Sequence, residues 1–171
     1  MPYVVKKRNK TFLDEFILKN KYLPLILNFN LIFMEVTKSY LKDLVYQVNG
    51  AAIEVHKELG PGLLESVYHR CLKEELRYRK INYLSELFVP VSYKGKELDA
   101  ELKCDLFVED ILAVELKAVE AILPIHEAQI MTYMKLLNVP KGLLINFNTT
   151  HIFKEGQKTF VNELYRELKE V

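Results

Sequence analysis

Residues 104–118 read CDLFVEDILAVELKA. Leu106 to Val108 and Ile111 to Val114 are runs of apolar, largely branched and aromatic side chains that suit a buried sheet, with Glu109-Asp110 between them as a turn signal. Three charged residues break the pattern, for Asp105, Glu115 and Lys117 lie inside or against these apolar runs. A charge taken into the interior is costly unless a counter-charge or a metal ion compensates it.

A strand sends every second side chain to the same face. Glu115 and Lys117 therefore project together beside Ala113, while Leu112, Val114 and Leu116 point the other way; Asp105 shares its face with Lys103 and Phe107. The connecting loop decides whether Asp105 meets Glu115. A two-residue loop at 109–110 sets residue 105 against 114 and sends the two carboxylates to opposite faces. A three-residue loop at 109–111, or a bulge, sets 105 against 115. Directly opposed carboxylates repel unless a cation sits between them, and one or two carboxylates plus water and phosphate suit Mg²⁺. If the charges are kept to hold a metal, the hairpin must have odd register.

Outward from this hairpin, Leu41, Leu44, Val45, Val48, Ala51, Ala52, Val55 and Leu59 follow helical spacing from Thr37, and Gly60-Pro61-Gly62 stops that helix. A second helix is expected from about Leu63 to Arg79, with Leu64, Val67, Tyr68, Cys71, Leu72 and Leu76 as its apolar stripe. LFVPVSY (87–93) and GLLINFN (142–148) read as further strands, and YKGK (93–96) as a hairpin turn. A helix is expected at about 125–137 after Pro124. A closing strand pair, HIFKEG and KTFV, leads into a short helix. The layout is α/β with a mixed sheet.

At 171 residues the chain suits one domain. Half its residues are hydrophobic and 27% are charged, as in soluble globular proteins, and the net charge of +1 leaves any nucleic-acid footprint to a local patch. Two cysteines, Cys71 and Cys104, make neither a disulfide framework nor a zinc spacing, which fits core thiols and a reduced, cytoplasmic setting. Tyr22 to Met34 is apolar but too short to span a bilayer, and Pro24, Asn28 and Asn30 interrupt it. The basic KKRNK (6–10) upstream is followed by Asp14 and Glu15 and by no small-residue cleavage site, unlike a secretory signal. Met34 opens what reads as a domain start, so residues 1–33 are expected to be a dispensable extension of a 34–171 domain.

Asp105, nine intervening residues, then Glu115-Leu116-Lys117 match the PD-(D/E)XK pattern. GPGLLESVY supplies Gly62, Glu65 and Tyr68, and HEAQIMTYMKL supplies Gln129 and Tyr133. With these three motifs in order, the chain resembles the GxxExxY branch of the PD-(D/E)XK nuclease superfamily, with a QxxxY element similar to that of RecB-like nucleases. The resemblance runs from about Leu41 to Phe160. Cys104 stands where the superfamily's name has Pro, a loss common within it. The resemblance implies a restriction-endonuclease-like mixed β-sheet flanked by helices. It further implies hydrolysis of phosphodiester bonds in DNA, with RNA left open, using Mg²⁺ or Mn²⁺ and no membrane partner.

In that reading Asp105 and Glu115 hold the metal, and Glu65 is an auxiliary ligand through water. Lys117 positions the attacking water or offsets charge on the phosphate. Each has a plainer alternative. Asp105 can be a strand-end residue paired to Lys103 or Lys117, Lys117 can pair with Glu115, and Glu65 lies in a first helical turn, where any carboxylate is favoured. Gln129 and Tyr133 share one helix face, either to hold phosphate or the lysine or as a structural polar pair. His126 reads as a capping or surface histidine. Arg77 to Lys80, Lys94, Lys96 and Lys135 are candidates for a phosphate-binding rim, with a solvated face as the default. Two rival functions stand beside the nuclease: a non-catalytic nucleic-acid or protein-binding module that keeps the fold, and a Mg²⁺-dependent phosphoryl enzyme acting on RNA or nucleotides.

Overall fold

Thr37 caps helix α1 (Lys38–Leu59), its hydroxyl accepting the Tyr40 amide at 3.1 Å. Gly60, at φ 65°, ends α1 with its amide on the His56 carbonyl. Helix α2 (Glu65–Tyr78) follows. The remaining elements are β1 (Tyr83–Phe88), β2 (Val91–Tyr93), β3 (Lys96–Leu98), β4 (Lys103–Val108), β5 (Leu112–Lys117), α3 (Pro124–Leu136), β6 (Lys141–Asn146), α4 (Ile152–Glu155), β7 (Gln157–Val161) and α5 (Glu163–Arg166). This computed structural model describes residues 36–98 and 102–171; the expected 1–33 extension, with its apolar run, lies outside the described residues.

Five strands form one sheet in the order β1-β4-β5-β6-β7, and β2-β3 is a separate hairpin. Only the β5–β6 pairing within the large sheet is parallel, and α3 is the crossover that such a pairing needs. α1 and α2 cover one face, packing on Leu106, Val108, Leu112, Val114, Leu116, Leu143 and Ile145. α3 covers the other, bringing Ile130, Tyr133 and Met134 onto Phe107 and Ala113. That double cover explains why β6 is buried at every position and β5 at all but its last. A Cβ on Gly142 would come within 2.7 Å of the Met134 sulfur, so glycine is what lets α3 close onto β6. This is the expected α/β architecture, a restriction-endonuclease-like mixed sheet flanked by helices.

Two expectations need correction. LFVPVSY is not one strand: β1 ends at Phe88, and β2 starts at Val91. Pro90, which has no amide to donate, marks the exit from the sheet. HIFKEG is not a strand either, because Ile152–Glu155 form a helical turn. Ile152 is buried in the α1–α2 core while Phe153 is exposed, so one anchoring side chain mimicked a strand alternation.

Candidate active site

The β4–β5 hairpin has odd register. Val108 pairs with Leu112, Phe107 with Ala113 and Leu106 with Val114, leaving Glu109, Asp110 and Ile111 as a three-residue connection. Glu109 and Asp110 both have positive φ, and the Ile111 amide donates to the Val108 carbonyl, so a tight turn is followed by one extra residue. Ile111 packs against the α1–α2 core, and the Glu109 carboxylate accepts both the amide and the side chain of Asn82. One step further along this register, Asp105 comes opposite Glu115.

There the ladder stops. No backbone pair joins Asp105 to Glu115, and the Asp105 Oδ2 accepts the Leu116 amide at 2.8 Å instead. Glu115 is 2% exposed. Its Oε1 accepts from the Lys117 ammonium at 2.5 Å, and the same ammonium donates to the Leu116 carbonyl at 3.0 Å. Its Oε2 is buried without any hydrogen-bond partner among the described residues. Burial first, and then the Asp105 carboxylate, push Glu115 up to about 7 against the pull of Lys117. Asp105 is also raised, chiefly by burial, with the Leu116 amide, Lys117 and His69 acting against the rise.

Glu65, the first residue of α2, joins this group electrostatically. Burial raises its pKa, Lys117 lowers it and Asp105 raises it. Gly62 and Tyr68 explain how it gets there. Gly62 has φ 98°, which disfavours any side chain. Tyr68 is fully buried and stacks on Phe147 with ring centroids 4.5 Å apart. Its hydroxyl donates to the Gly60 carbonyl at 2.6 Å and accepts the Leu63 amide at 3.1 Å, tying down the loop that launches α2. Tyr68→Phe removes both bonds and is expected to cost about 1–2 kcal/mol. That loss should appear as a fall of several degrees in the thermal unfolding midpoint; an unchanged midpoint would show that the hydroxyl does not hold the loop.

On the opposite side Gln129 donates to the Tyr133 hydroxyl at 2.9 Å. Tyr133 is buried and pushed up to about 12, chiefly by its burial, with Glu115 and Asp105 among the charges that add to the rise. Buried Cys104 is likewise pushed up to about 12, by burial and by Glu115, and is a thiol of the core rather than a nucleophile. His126 caps α3, its Nδ1 accepting the Leu123 amide.

The Arg77 and Arg79 part of the expected basic rim stands away from the carboxylates. Arg77 and Arg79 pair with Glu74 and Glu75 at the far end of α2, about 18 Å of helix from Glu65. Lys135 lies in the last turn of α3, beyond Gln129. Among the described residues no three His, Cys, Asp or Glu side chains gather as a ready metal cage. Sequence reasoning passed over His69. It stands four residues after Glu65 on α2, its Nε2 3.2 Å from the Asp105 carbonyl and 3.3 Å from the Ser85 hydroxyl. That i,i+4 spacing was the available signal.

A family model described as the PD-(D/E)XK nuclease superfamily matches residues 42–160. The chain belongs to that superfamily, whose nucleases generally use divalent metal ions. Comparison with curated proteins and with solved structures gives no significant match. No described helix is long and apolar enough to cross a membrane.

Proposed function

We propose that this protein is a Mg²⁺-dependent nuclease, able to use Mn²⁺, that hydrolyses phosphodiester bonds in DNA, and that it belongs to the GxxExxY branch marked by Gly62, Glu65 and Tyr68. The observation that carries the proposal is the buried, unpartnered Oε2 of Glu115 beside Asp105. A buried carboxylate oxygen with no donor is costly unless a cation takes it up. Asp105 and Glu115 are the residues that hold the ion, and Glu65 assists through water.

Bound there, a divalent ion supplies charge neutralisation at the phosphate and a more acidic water. The rest falls to the chain. The Lys117 ammonium, fixed by Glu115 Oε1 and the Leu116 carbonyl, orients the attacking water and offsets negative charge on the phosphate. Gln129 and Tyr133, the QxxxY pair, present two polar groups from α3 to the same end of the sheet and help to hold the phosphate. The buried walls keep bulk water from screening these charges.

Incubating the purified full chain with single- and double-stranded DNA and RNA, in Mg²⁺ or EDTA, tests the proposal. Mg²⁺-dependent cleavage of DNA is expected. Metal-independent binding without cleavage would instead identify a binding module, and cleavage confined to RNA would move the substrate. The same reading treats residues 1–33 as dispensable, in a cytoplasmic protein. A chain starting at Met34 is expected to stay soluble with an unchanged unfolding midpoint, and its failure to fold would show that the Tyr22 to Phe33 run completes the core.

A further inference from the structure

Asp105 occupies a gap in the sheet on both sides. Toward β5 the ladder ends at Leu106–Val114, and toward β1 it passes from Ser85–Leu106 to Leu87–Cys104, skipping Glu86 and Asp105. Glu86 has φ 52°, which accounts for the break on that side. The backbone of a central strand residue would ordinarily be fixed by its neighbours. At Asp105 an outside group does it: His69, reaching from α2, with its Nε2 3.2 Å from the Asp105 carbonyl.

A carbonyl can only accept, so Nε2 carries a proton and donates it. The Ser85 hydroxyl, 3.3 Å from the same nitrogen, braces the ring from β1. His69 also lies on the helix face of Glu65, so one turn of α2 delivers a carboxylate to the site and a donor to the strand opposite it.

We propose that His69 is a positioning residue: its Nε2–H, braced by Ser85, fixes the Asp105 backbone where the sheet does not, and so aims the Asp105 carboxylate. The inference rests on the nuclease reading for its purpose, though not for its geometry. Because Asp105 Oδ2 accepts the Leu116 amide, the aim of this carboxylate can be read without metal, from the hydrogen exchange of that one amide.

The experiment compares the full chain with His69→Ala and with His69→Gln, whose amide can also donate. In metal-free protein, His69→Ala is expected to speed exchange of the Leu116 amide about tenfold. The amides of Val114 and Leu143 should keep their wild-type rates, and His69→Gln should restore most of the protection. The affinity for Mn²⁺, measured by electron paramagnetic resonance, should fall and recover in the same order. Unchanged Leu116 exchange in His69→Ala overturns the proposal, as does a uniform rise across β5 and β6 or the absence of rescue by glutamine. If the wild type binds no Mn²⁺, the metal-dependent reading fails, and the exchange result still decides the role of His69.

Discussion

Lys117→Ala is expected to lose at least about a thousandfold in DNA cleavage while the domain stays folded. Loss of the lysine removes the donor to Glu115 Oε1, beside an Oε2 that has none among the described residues. Breaking a buried ion pair ordinarily costs about 3–5 kcal/mol, because the surviving charge is stranded. Glu115 escapes much of that cost, since a carboxyl already held near 7 takes up a proton instead. Fold and activity therefore separate, and Glu115→Ala should behave likewise. Initial cleavage rates in Mg²⁺, with circular dichroism as the check on folding, measure both. A wild-type rate from either variant removes the catalytic assignment.

The second large effect is on stability. In metal-free protein the Glu115 carboxyl is raised from 4.5 to about 7. A raised carboxyl favours the neutral form in the folded state, so its contribution is complete below about pH 4.5 and is lost as the pH climbs through about 7. Asp105 and Glu65 are raised too and add in the same direction. The gap at Glu115 corresponds to at most about 3 kcal/mol, so the unfolding midpoint of the metal-free chain should fall by several degrees between pH 5 and pH 8. Mg²⁺ should reverse that fall at pH 8, by about 2.7 kcal/mol at a hundredfold excess over its dissociation constant. The gain should be smaller at pH 5, where the ion must displace protons. Glu115→Gln should flatten both responses. Thermal unfolding across this range, with Mg²⁺ or EDTA, measures them; a Mg²⁺ shift of equal size in Glu115→Gln would place the ion elsewhere.

Much of this site was legible in the residues because burial is legible. Glu115 and Lys117 stood out as charges in a strand with apolar neighbours on both faces, and both covered faces are present. The parity of the hairpin was not legible. Glu109-Asp110 lacks the glycine that would mark a two-residue turn, and Ile111 reads equally well as the first residue of a strand. Tertiary contacts decide it: Ile111 packs on the helical core, and Asn82 anchors Glu109. His69 escaped notice because its partner is a backbone carbonyl, which no side-chain motif records. The basic residues misled for the opposite reason. Arg77 and Arg79 are conspicuous as a run, yet each is occupied by a carboxylate on its own helix.

The extra residue in the Glu109–Ile111 connection makes the chain unequally tolerant of changes in length. Deleting Ile111 would leave a sound two-residue turn and could preserve the pairing of two apolar strands. Val108 would still meet Leu112, so Asp105 would stay opposite Glu115. Removing one residue between the loop and the site, such as Phe107, would instead set Asp105 against Val114 and away from Glu115, and should inactivate the protein. The length of this connection is therefore free to drift, whereas the spacings from Asp105 to Val108 and from Leu112 to Glu115 are not.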